Sequence, residues 1–127
     1  ECRRVLKNGG RFLCSTYGKQ HMWEITDLVQ QFHKEIVLSA EVLYERFGLE
    51  NGENLLAPYF PEIQMRRYED AIEIAEAEPL ISYILSCHGN QNQLLLNQYK
   101  EFREFVSARV ADGFHITKDA GIFLCRK

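Results

Sequence analysis

Glu1-Cys-Arg-Arg-Val-Leu-Lys-Asn-Gly-Gly-Arg-Phe-Leu-Cys-Ser-Thr-Tyr17 packs a helix end, a two-glycine stop and an apolar strand into seventeen residues. Val5 and Leu6 close a helical turn whose Arg3, Arg4 and Lys7 sit where cations meet the negative end of the helix dipole. Asn8, Gly9 and Gly10 supply the left-handed conformations that end a helix. Phe12, Leu13, Cys14 and Thr16 then make a short, nearly continuous apolar run, the pattern of a strand covered on both faces. A helix leading tightly into such a strand announces an α/β sheet that is entered part-way.

Working outward, Tyr17 to Met22 reads as a loop, and Ile25, Leu28, Val29, Phe32 and Ile36 recur at helical spacing, which predicts an amphipathic helix of about three turns. A second helical segment is expected from Ser39, a candidate N-cap, through Val42, Leu43 and Phe47 to a stop at Gly48. Asn51 to Asn54 reads as a polar turn. Pro58 and Pro61 bracket Tyr59 and Phe60, and Glu62 to Tyr68 alternates like a half-exposed strand at or next to a sheet edge, with Ala71 to Ala75 extending or pairing beside it. Pro79 suits the first position of a helix running to about Cys87. The longest helix is expected over 91–111, with Leu95, Tyr99, Phe102, Val106 and Val110 on one stripe and Gly113 as its stop. Phe114 to Thr117 and Ile122 to Cys125 are strand-like, joined by a turn or bulge at Lys118-Asp119-Ala120. Strand, helices, strand, helices, strand is the order of half a doubly wound sheet.

Arg4-Val-Leu-Lys-Asn-Gly-Gly-Arg-Phe-Leu13 resembles the R-V-L-K-P-G-G turn into the fifth strand of class I S-adenosylmethionine-dependent methyltransferases, notably their small-molecule branch. Asn8 stands where proline is usual, and asparagine tolerates the turn. Gly113 to Lys127 looks like the same family's terminal antiparallel strand. The resemblance covers most of the chain but only the second half of the family's domain. It implies an α/β fold: the C-terminal half of a Rossmann-like sheet, with strands five, six and seven, the seventh antiparallel. Residues 1–127 are then expected to form one partial domain without its N-terminal cofactor-binding half, a piece of a longer protein.

At 46% hydrophobic and 26% charged residues, the 127-residue chain falls in the globular class with one modest core. A formal net charge of -3, with Lys and Arg scattered along the chain, argues against nucleic acid as a partner. No apolar stretch approaches the roughly 20 residues that cross a bilayer, and no secretory signal is visible, so no membrane partner is expected. Cys2, Cys14, Cys87 and Cys125 show no C-x-x-C spacing and read as buried free thiols, with a disulfide or zinc site as the alternative; a reducing, cytoplasmic setting follows.

The family's glycine-rich cofactor turn is not among the eight glycines, so S-adenosylmethionine, the cofactor implied by the resemblance, is not expected to bind this piece alone. The acceptor side is more legible. In open α/β sheets the ligand crevice lies beyond the C-terminal ends of the parallel strands, which places Ser15, Thr16 and Tyr17 at its border. His21 and Trp23 follow as candidates for a substrate entrance. His21 is the candidate general base, because a neutral imidazole takes a proton near pH 7; the alternative is an ordinary solvated loop histidine, and many methyl transfers need only proximity and orientation. Tyr44, Phe47, Tyr59 and Phe60 fit either an apolar substrate cavity or ordinary core. Glu69, Asp70, Glu73, Glu76 and Glu78 lack the fixed ligand spacing of a cation loop, and no metal is expected.

The implied function is methyl transfer from S-adenosylmethionine to a small-molecule acceptor, with this piece as the substrate-side half. The rival is a non-enzymatic association module on a methyltransferase-like scaffold. In the family's sheet the strand at Arg11 to Thr16 lies between the fourth and seventh strands. Without the fourth its outer edge has unpaired backbone groups, so self-association through the edge of 11–16 is expected.

Overall fold

In the computed structural model, which describes residues 1–127, the short helix α1 (Cys2–Val5) runs into the expected glycine stop: Gly9 takes φ +73°, the left-handed region that glycine occupies without strain. Strand β1 (Arg11–Tyr17) follows, then α2 (Trp23–Phe32), α3 (Leu43–Arg46), α4 (Gly52–Leu56), β2 (Glu62–Ile74), α5 (Ala77–Ser86), α6 (Gln91–Leu95), α7 (Tyr99–Val110) and β3 (Phe114–Arg126). The fold is mixed α/β, with one three-stranded sheet in the order β1-β3-β2.

β3 pairs antiparallel with β1 in a register that sets Arg11 opposite Arg126 and Tyr17 opposite Ala120. On its other side, the side-chain pairs Glu62–Arg126, Arg67–Asp119 and Glu73–His115 climb one strand as they descend the other, so β2 is also antiparallel to β3. β1 and β2 therefore point the same way and both are edges. β2 is one unbroken strand of 13 residues rather than a strand with a separate extension. β3 is likewise unbroken, yet its inward-facing positions change phase: Ile116 is buried, and then Asp119, Gly121, Phe123 and Cys125. That shift falls on the residues read as a turn or bulge.

The chain divides into two compact units. The first holds Glu1–His21, Val42–Asp70 and Lys118–Lys127. Its core is Leu49, Leu56, Phe60, Phe123 and Cys125, with Phe12 stacked on Phe60 at 5.5 Å between ring centroids. The second unit holds Met22–Glu41 and Ala71–Thr117. There α7 packs on α2 and α5 through Phe102, Val106 and Val110, against Ile25, Leu28, Leu80 and Ile84. Glu24, in the first turn of α2, accepts hydrogen bonds from the amide and hydroxyl of Thr117.

Several expectations are corrected. β1 is not covered on both faces: its residues alternate, and Leu13 is 54% exposed while Phe12 and Cys14 face the core. Ser39 caps no helix; its hydroxyl bonds the Glu41 carbonyl in a turn, and α3 begins only at Leu43. The residues read as a polar turn after Asn51 begin α4 instead, because Asn51 spends its side chain on the preceding turn, accepting from the Gly48 amide and donating to the Tyr44 and Glu45 carbonyls. The long helix is two helices. Gln98 leaves helical geometry at φ -127°, ψ 17°, and its carbonyl starts α7 by accepting from Phe102. Pro79 sits at the third rather than the first residue of α5. Among the thiols Cys125 is buried, Cys14 and Cys87 are half-buried and Cys2 is exposed; all four are free. No helix is long and apolar enough to cross a membrane.

Candidate functional site

At the C-terminal end of β1, an open cleft of about 550 Å³ is bounded by three stretches of the first unit. Ser15, Thr16, Tyr17 and His21 form one wall, Leu43, Arg46 and Phe47 the second, and Ala120 and Gly121 the floor. The floor follows from register, since Thr16 lies opposite Gly121 and Tyr17 opposite Ala120. The second wall is tied to β1 by two bonds. The Thr16 hydroxyl donates to the Phe47 carbonyl at 2.7 Å, and the Leu49 amide donates to the Tyr17 carbonyl at 3.3 Å.

The loop carrying His21 has every backbone donor from Gly18 to His21 engaged. Gly18 donates to the Asp119 carbonyl at 2.9 Å, Lys19 to Glu50 Oε1 at 3.1 Å, Gln20 to Asp119 Oδ2 at 3.3 Å, and His21 to the Gly18 carbonyl at 3.2 Å. Glycine is required at position 18 by space: a Cβ there would land on the Asp119 carboxylate. The His21 ring stacks on Tyr17 with centroids 5.0 Å apart. Its Nδ1 is buried without a hydrogen-bond partner.

Burial pushes the His21 imidazole below its ordinary value of 6.5, and Lys118 pushes it the same way; the Asp119 carboxylate and carbonyl pull against them. The ring is therefore neutral at pH 7, with a lone pair on one nitrogen. The cleft thus combines aromatic and aliphatic walls, a neutral imidazole, the hydroxyls of Ser15, Thr16 and Tyr17, of which that of Thr16 is committed to the Phe47 carbonyl, and the guanidinium of Arg46. This suits a small, largely apolar molecule with few polar groups. No carboxylate lines the cleft.

Ser15, Thr16, Tyr17 and His21 are thus brought together as the sequence suggested. Trp23 and Tyr59 are not: Trp23 is 49% exposed at the start of α2 in the second unit, and Tyr59 is 60% exposed beyond α4. Of the other aromatic candidates Phe47 lines the cleft and Phe60 is core. Leu43, Arg46, Ala120 and Gly121 were missed. Nothing local marks them, and only the strand register and the fold of 42–50 put them there.

A smaller hollow of about 250 Å³ lies on the same unit beside Arg11, Glu62, Gln64 and Arg126. Arg11 and Arg126 are directly opposed in register, and Glu62 at 3.6 Å from Arg126 offsets part of their repulsion. No group of three or more His, Cys, Asp or Glu side chains is arranged to hold a metal ion.

Compared with known proteins, the chain matches no family model and no curated protein.

Proposed function

We propose that the chain is the acceptor-side half of a class I S-adenosylmethionine-dependent methyltransferase of the small-molecule branch, its β1, β2 and β3 standing for that sheet's fifth, sixth and seventh strands. The observation that carries this reading is the cleft at the C-terminal end of β1, bounded by Ser15 to Tyr17 and His21, where an open α/β sheet receives its ligand. The motif from Arg4 to Leu13 and the antiparallel terminal strand lying beside β1 support it. In this reading the acceptor lies between Tyr17, Phe47 and Leu43. His21 takes the proton released as the acceptor's heteroatom is methylated, a role its neutral ring allows. Cofactor contacts belong to the remainder of a longer polypeptide, and no step of theirs is assigned to residues of this chain. Four free thiols suit a reducing, cytoplasmic location.

The experiment is calorimetric titration of S-adenosylmethionine into the 127-residue chain and into the full-length product of its gene. Binding by the full-length product alone is expected. Binding by neither sinks the methyltransferase reading.

A second reading, an association module, rests on a different observation: the outer edge of β1 is unpaired in the sheet, and Leu13 on that strand is 54% exposed. Two copies would pair through this edge. Sedimentation equilibrium of the chain and of Leu13→Lys tests it: a dimer abolished by the lysine is expected, and a monomer at every concentration removes the module.

A further inference from the structure

Arg67 on β2 reaches two carboxylates that also hold the loop after β1. Its Nε lies 2.8 Å from Asp119 Oδ1 and its Nη2 lies 3.1 Å from Glu50 Oε1. The other oxygen of Asp119 takes the Gln20 amide, and the same Glu50 oxygen takes the Lys19 amide. An exposed ion pair contributes little by itself, but this arrangement is not one. The Asp119 side chain is only 7% exposed, and each carboxylate accepts from both the guanidinium and a loop amide. With the Asp119 carbonyl on Gly18, the group accounts for three consecutive amides leading to His21.

We propose that Arg67, Asp119 and Glu50 are positioning residues: an ionic clamp that fixes the Gly18–His21 loop so that the His21 ring stays stacked on Tyr17 at the cleft. The fixed loop keeps the imidazole partly out of water, which holds it neutral. That His21 serves as a base in methyl transfer rests on the proposed function; that the clamp positions it does not. The groups that face His21 are Tyr17 from β1 and Lys118 and Asp119 from β3, and Arg46 shares its cleft.

The test is NMR titration of the His21 imidazole in the 127-residue chain, comparing the parent with Arg67→Gln and Glu50→Gln. Arg67→Gln removes the fork that joins both carboxylates. The freed loop exposes the ring, so the His21 titration midpoint moves up toward 6.5 and its ring protons lose the upfield shift imposed by Tyr17. Glu50→Gln keeps an oxygen for the two donors that share Oε1 but removes its charge, and so moves both readouts in the same direction by less. Glu50 is half-exposed, so this variant stands in if Arg67→Gln fails to fold. A folded Arg67→Gln protein, or failing that a folded Glu50→Gln protein, with the parent's His21 midpoint and ring shift overturns the proposal. Neither readout requires methyl transfer, so failure of the cofactor titration removes the base and leaves the clamp to be judged separately.

Discussion

Replacing Asp119 by alanine isolates the energetic side of the clamp. The carboxylate accepts from Arg67 Nε at 2.8 Å on one oxygen, and from Arg67 Nη2 at 3.4 Å and the Gln20 amide at 3.3 Å on the other. Stranding a fully buried charge costs about 3–5 kcal/mol, but Arg67 is 37% exposed and keeps Glu50 at 3.1 Å, so that figure is too large here. A charge-assisted bond is worth about 1.5–3 kcal/mol when well shielded, and solvent at the guanidinium reduces it to about 1 kcal/mol. The abandoned amide of Gln20 adds about 1 kcal/mol. Asp119→Ala should therefore cost about 2 kcal/mol, and Asp119→Asn, which keeps one acceptor oxygen, about half as much. Urea unfolding followed by circular dichroism reads this directly, with an m-value of about 1–3 kcal/mol/M setting a midpoint drop of roughly 1 M for the alanine variant. A double-mutant cycle with Arg67→Ala should return a coupling of about 1 kcal/mol. A loss below about 0.5 kcal/mol, or an asparagine variant weaker than the alanine one, would refute the reasoning that both oxygens are in use.

Other outcomes follow from the same structure. Gly52→Ala puts a Cβ 2.5 Å from the fully buried Phe123 ring, and overpacking there should cost about 1–3 kcal/mol by chemical denaturation, with a neutral result showing that the ring can move. Phe102→Ala removes a 0% exposed ring that meets Phe32 edge-on at 5.2 Å, so a loss of about 3–5 kcal/mol is expected by the same assay, and a loss under about 2 kcal/mol would mean that the site collapses around the gap. Burial tends to raise the Glu24 carboxyl, but hydrogen bonds from Thr117 and the backbone, together with His115, outweigh it and hold the group below its ordinary 4.5. Its contribution is complete above 4.5 and is lost as pH falls through the lower folded value. Glu24→Gln should accordingly flatten the stability loss below pH 4.5, and an unchanged acid limb in pH-dependent melts would contradict the assignment.

The parts legible in the sequence are those set by local chemistry. Gly9 and Gly113 end their helices at φ +73° and +92°, conformations that side chains resist, so glycine announces them wherever the chain goes next. Phe102, Val106 and Val110 had to share a helix face because helical spacing allows nothing else, and all three are buried. The end of β1 had to lead into the loop of His21, which is why Ser15, Thr16, Tyr17 and His21 were found together. Tertiary structure decided what depends on partners distant along the chain. Whether 91–110 is one helix or two turned on Gln98 leaving helical geometry, which the apolar stripe does not record. The cleft floor came from the register of β1 on β3, and one residue of slip would have presented the other face. Asp119 looked like a turn residue because aspartate rarely lies buried in a strand; Arg67, 52 residues away, makes that burial tolerable. A local pattern fixes conformation, whereas the neutralisation of a buried charge depends on where the rest of the chain arrives.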